Sequence, residues 1–153
     1  MRKSLLATYV KIFLVILIII VIVYGVVKIF NNGQNKVKYE TIKTNMLLIQ
    51  GKTEVIAQKV SIKEKGAKYI GIAIKEKQED EKIKNLVNNS IIDINSKDSN
   101  LYCIDNSALK ELGLVNIEID DYYIVDYKKN DVIYVNGIEN QDGKVVYKLS
   151  EMQ

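Results

Sequence analysis

With no histidine in the chain, the commonest general base and the commonest nitrogen ligand for a metal are both missing. What remains for chemistry is the carboxylates. Asp120 and Asp121 are adjacent, and Asp126 and Asp131 follow closely. Neighbours in an extended strand point to opposite faces, so Asp120 and Asp121 do not form a working pair. Asp126 and Asp131 flank Lys128-Lys129-Asn130, a setting in which acids commonly brace a hairpin turn. Asp93-Ile94-Asn95-Ser96-Lys97-Asp98 has the polarity of a calcium loop, but a lysine stands where a ligand belongs and the turn glycine is absent. Cys103 is the single cysteine, which excludes an intrachain disulfide and a Cys-rich zinc site. Within Leu-Tyr-Cys-Ile it reads as a small buried hydrophobe. Lys65-Gly66 and Asn136-Gly137 are isolated turns rather than a phosphate-binding loop. The expectation is no catalytic residue, no metal, no cofactor and no evident small-molecule substrate. An extracytoplasmic enzyme is a third reading, and it would need convergent acids in a deep pocket.

The tyrosines are the other candidates. Tyr102, Tyr122, Tyr123, Tyr127, Tyr134 and Tyr147 gather in a region with strand character. Alternation along a strand turns some of them outward, where tyrosine anchors protein contacts well. Tyr122, Tyr127 and Tyr134 are thus offered as partner contacts, beside ordinary sheet packing.

The element that governs everything upstream is the run from Ile12 to Val27, IFLVILIIIVIVYGVV, which carries no charge. As a helix at about 1.5 Å per residue it covers roughly 24 Å, somewhat less than a hydrocarbon core of about 30 Å. Lys11 and Lys28 flank it and can snorkel, while Leu5, Leu6, Ala7, Tyr9 and Val10 extend the apolar surface. A secretory signal peptide is the rival reading of the Arg2-Lys3 start, but Val23-Tyr24-Gly25 is a poor cleavage site and apolar residues continue past it. An uncleaved anchor fits better. Arg2, Lys3 and Lys11 favour a cytoplasmic N-terminus, although Lys28, Lys36, Lys38 and Lys43 weaken the asymmetry.

Past the span, Asn31-Asn32-Gly33-Gln34-Asn35 reads as a turn or joint. Ile42, Met46, Ile49, Ile56 and Val60 then recur at helical spacing, predicting an amphipathic helix over 37–60 with Gly51 as a weak point. Its stripe is expected to pack on the domain's sheet; a coiled-coil partner is the alternative. Tyr69 to Ile74 is either strand or buried loop, and a short helix surrounds Ile83, Leu86 and Val87. Leu101 to Ile104 reads as a strand, followed by a helix capped by Asp105, Asn106 or Ser107 and stopped at Gly113. Tyr122–Tyr127 and Val132–Val135 form a hairpin, Asn136-Gly137 and Gln141-Asp142-Gly143 two further turns, and Val145–Leu149 a last strand.

The fold expected is therefore α+β: an N-terminal transmembrane helix, then an amphipathic helix packed on a small C-terminal antiparallel β-sheet. The domain plan is 1–11 cytoplasmic N-terminus, 12–30 transmembrane helix, 31–36 joint and 37–153 extracytoplasmic α+β domain. Residues 31–75 carry nine lysines against three glutamates, and residues 76–153 nine lysines against sixteen acids. The basic stretch suits an anionic membrane surface, and the acidic remainder argues against nucleic acid.

This order of parts resembles type IV pilins and the pseudopilins of secretion and competence systems. Asp121-Tyr-Tyr-Ile-Val-Asp-Tyr-Lys-Lys-Asn-Asp-Val-Ile-Tyr-Val-Asn-Gly137 and Asp142-Gly-Lys-Val-Val-Tyr-Lys-Leu149 are similar to the C-terminal hairpins of pilin-like proteins from Gram-positive bacteria. The chain departs from the family at Leu6-Ala7-Thr8-Tyr9-Val10-Lys11-Ile12, which lacks the prepilin-peptidase motif and the early glutamate. The resemblance implies a pilin-like fold, and a non-enzymatic, single-pass accessory component of a secretion or pilus-type envelope assembly. Its partners would be the membrane and other envelope, pilus or secretion proteins. The alternative is a membrane-anchored scaffold or binding module that pairs through the 37–60 helix and is unrelated to pili.

Overall fold

A computed structural model describes the backbone of residues 2–117, 119 and 121–152, and the side-chain surroundings of residues 13–23, 33–117, 119 and 121–152. The chain divides into two compact units, residues 1–38 and 39–153. Helix α1, Arg2–Ser61, contributes to both. Its helical backbone runs through 31–36, where the sequence predicts a joint. Asn and Gly each cost a helix about 1 kcal/mol or less relative to Ala, far below proline's roughly 3 kcal/mol. Propagating a formed helix across such residues is cheaper than nucleating a second one. Among the described residues no helix is long and apolar enough to cross a membrane. Phe13–Val23 is the described part of the apolar run, while the side chains of Lys11, Ile12 and 24–30, Lys28 included, lie outside the described residues.

In the second unit five strands form one antiparallel sheet in simple sequence order: β1 Ile72–Ala73, β2 Leu101–Ile104, β3 Tyr123–Asp126, β4 Asp131–Glu139 and β5 Val145–Lys148. The α+β expectation holds at this level. The β3–β4 hairpin pairs Tyr123 with Tyr134 and Asp126 with Asp131. Asn136-Gly137, predicted as a chain reversal, lies instead inside β4. The β4–β5 register shifts between Ile133 and Ile138, and Gly137 takes φ +63° there. A Cβ at Gly137 would sit 2.7 Å from Val145 Cγ1 and 2.8 Å from Tyr147 Cε1, so this irregularity requires glycine twice over.

Both faces of the sheet are covered. On one, Ile42, Met46 and Ile49 of α1 join Tyr123, Val125, Val132 and Tyr134 in a core that also takes Leu109 and Leu112. Ile56 packs partly against it, whereas Val60 is half-buried and does not belong to it. On the other face, Ile83 and Leu86 of α2, Glu81–Asn88, pack with Ile74 and Ile92 over Cys103, Ile124 and Ile133. This second layer goes beyond the helix expected on a single face. It explains why β3 is buried at every position, since a strand covered on both sides shows no alternation.

The short helices stop and start as local chemistry dictates. Asp80 caps α2 through the Lys82 amide at 2.9 Å. Asp105 caps α3, Asn106–Glu111, by accepting from the amides of Ser107 and Ala108. Gly113 follows at φ +74°, the left-handed conformation that ends a helix cheaply.

Candidate functional site

The three tyrosines proposed as partner contacts do not reach the surface. Tyr122, Tyr127 and Tyr134 are each buried: Tyr127 and Tyr134 belong to the core beneath α1, and Tyr122 to the core beneath α2. The Tyr127 hydroxyl donates to the Ile70 carbonyl at 3.0 Å and accepts from the Ile70 N–H at 3.1 Å. Its ring packs tilted against Tyr69 at 4.6 Å and meets Tyr102 edge-on at 5.4 Å. Burial pushes the Tyr127 hydroxyl up to about 12. Tyr134 lies 5.4 Å from Tyr123. Tyr122 sits on the opposite face with the Lys77 ammonium 4.9 Å from its ring centroid. Burial, and then the nearby Asp80 carboxylate, raises the pKa of its hydroxyl.

The described acids that carry the sequence's chemical options are engaged by backbone amides or by lysines. Asp126, only 3% exposed, accepts from the amides of Asn100, Lys128 and Lys129 and so closes the β3–β4 turn. Asp131 accepts from the Val132 and Ser150 amides and from the Ser150 hydroxyl. Asp121 pairs with Lys82, and Asp120 lies outside the described residues. In the calcium-like segment, Asp93 accepts from the Asn95 amide and Asp98 meets Lys128 at 3.3 Å. Among the described residues no three His, Cys, Asp or Glu side chains are grouped to hold a metal ion. Cys103 is fully buried, and desolvation pushes its thiol up to about 11, which makes it a poor nucleophile.

What the described surface offers is apolar area. Every side chain from Phe13 to Val23 is between 44% and 65% exposed. In the second unit the side of α1 turned away from the sheet presents Leu48 and Val55, each 49% exposed, with Ile62 just beyond at 74%. Leu47 borders a separate open groove of about 470 Å³ between α1 and the β3–β4 turn, with Gln50, Asn130, Leu149 and Met152 on its walls. The amide of Gln50 donates to the Asn130 carbonyl across it at 2.6 Å.

Sequence reasoning finds the inward stripe but passes over the outward one. The signal is present in the spacing 44, 48, 51, 55, 58 and 62, and small or polar residues at half of those positions hide it. No protein-family model, no curated protein and no solved structure matches the chain.

Proposed function

We propose that the chain is a single-pass membrane protein whose cytoplasmic N-terminus and apolar helix hold a pilin-like α+β domain outside the membrane. The domain acts by contact rather than catalysis, as an accessory component of a secretion or pilus-type envelope assembly. One observation carries the anchor: Phe13 to Val23 is apolar around the whole helix circumference, with each side chain about half exposed or more. Left in water, such a surface forgoes roughly 1 kcal/mol or more per side chain, and a bilayer supplies the missing burial. The pilin-like reading draws support from α1 itself, which is helical from Arg2 to Ser61 and lays its later residues against an antiparallel meander. The contact role draws support from acids engaged as caps and turn braces.

The test is a mild-detergent pull-down of the tagged full chain from carbonate-washed native membranes, read by mass spectrometry. Retention after the wash together with pilins, a polytopic platform protein or an assembly ATPase is the expected result. Release by the wash overturns the anchor. Retention with only unrelated envelope proteins overturns the assembly role and leaves the scaffold reading, which the outward face of α1 favours.

A further inference from the structure

We infer that a second copy of this chain docks along the outward face of α1, forming a short parallel two-helix seam. The inward residues Ile42, Met46 and Ile49 are consumed by the sheet, so the pairing once allowed for that stripe falls to the opposite side of the helix. There Thr44, Leu48, Gly51, Val55, Gln58 and Ile62 recur at alternating spacings of four and three, and all are exposed. Ile62 prolongs the helix, its N–H donating to the Gln58 carbonyl at 3.1 Å. In heptad notation Leu48, Val55 and Ile62 take a, and Thr44, Gly51 and Gln58 take d. A Cβ at Gly51 would meet nothing within 4 Å, so this face is open and lets another backbone come close.

The flanking charges choose the partner. Glu54 occupies g, and Lys52 and Lys59 occupy e. In a parallel pair, g faces the e position five residues on in the partner helix, so Glu54 meets Lys59, and the two-fold axis repeats the contact. An antiparallel pair would set e against e and g against g, placing lysine on lysine and glutamate on glutamate. Lys59 also reaches Glu64 of its own chain at 3.6 Å, both side chains about half exposed, so exchanging that partner costs little. The seam is short, and the raised effective concentration of two chains in one membrane makes up for its length. Chains held by the same N-terminal anchor also meet in the parallel sense.

The experiment uses the full chain in carbonate-washed membranes. Leu48→Cys and Val55→Cys are oxidised with copper phenanthroline beside an Asn89→Cys control at the exposed residue that follows α2. Wild-type Cys103 is buried and supplies no background, and native protease resistance verifies that each variant is folded. The expected product is a disulfide-linked species of twice the chain mass for positions 48 and 55 and not for 89. In the Leu48→Cys background, Glu54→Lys lowers its yield about fivefold, and adding Lys59→Glu restores it. No product, equal product at position 89, a product of another mass, or a charge exchange that fails to restore overturns the inference. Each of these is read on membrane-retained protein, so loss of the anchor registers separately.

Discussion

Replacing Ile49 by Ala tests whether the later part of α1 is held by the sheet. Ile49 has no exposed surface and lies in the core with Met46, Tyr123 and Val132. Deleting three buried carbons there removes their transfer free energy and leaves a cavity between helix and sheet, at a cost of about 3–4 kcal/mol. Leu47→Ala, two positions earlier in the same helix, alters a side chain that is 50% exposed and costs under about 1 kcal/mol. Against a domain stability of roughly 5–15 kcal/mol, the first change is severe and the second minor. The assay is urea unfolding of the full chain in mild detergent, followed by near-ultraviolet circular dichroism of the packed tyrosines. At about 1.5 kcal/mol per molar urea, the Ile49→Ala midpoint falls by about 2–3 M while Leu47→Ala moves it by about 0.7 M or less. Equal shifts for the two variants, or an unmoved Ile49→Ala midpoint, would refute the packing. Ile49→Asp, which buries an unpaired carboxylate, leaves no cooperative transition.

Other residues give equally direct readings. Asp126→Ala deprives three backbone amides of their acceptor and lowers stability by about 2–4 kcal/mol in the same urea assay, with Asp126→Asn losing about half as much. Gly71→Ala forces a Cβ to 2.5 Å from the Cys103 carbonyl oxygen at φ +103°, a change of about 3 kcal/mol or more that lowers the thermal midpoint by about 10 °C. Alkaline stability reports Tyr127, whose folded pKa is pushed up to about 12 against about 10 when unfolded. Its contribution is complete below pH 10 and is lost between about pH 10 and 12, because only the unfolded chain gives up the proton there. Thermal midpoints measured from pH 8 to 12 therefore fall at the alkaline end, and Tyr127→Phe flattens that limb.

Much of the second unit was legible because its signals are local. The strand at Leu101–Ile104, the Asp105 cap and the Gly113 stop follow from propensity and capping chemistry within a few residues. The inward stripe was legible because one face of a helix meeting one face of a sheet leaves a 3.6-residue period. The burial of Tyr122 was not, since it depends on Ile74, Ile83 and Leu86 covering the far face from a segment dominated by charge. Asn136-Gly137 carries a strong hairpin signal, yet the same left-handed glycine conformation serves a register shift, and only pairing with β5 distinguishes the two. β1, at two residues, is too short for any periodic signal. The tyrosines were the wrong surface to choose; the apolar positions opposite the core lay in plain sequence, masked by Thr44, Gly51 and Gln58.

The pairing of α1 with the β3–β4 turn has a consequence in time. Gln50 and Asn130, joined across the groove, stand eighty residues apart. At a synthesis rate of about 5–20 residues per second, the helix waits roughly 4–16 s before the strands that cover Ile42, Met46 and Ile49 have been made. Through that interval both its stripes face solvent or whatever lies nearby. A nascent chain of this design is most vulnerable to aggregation and proteolysis between the emergence of α1 and that of β4, and any holding factor has its task within those seconds.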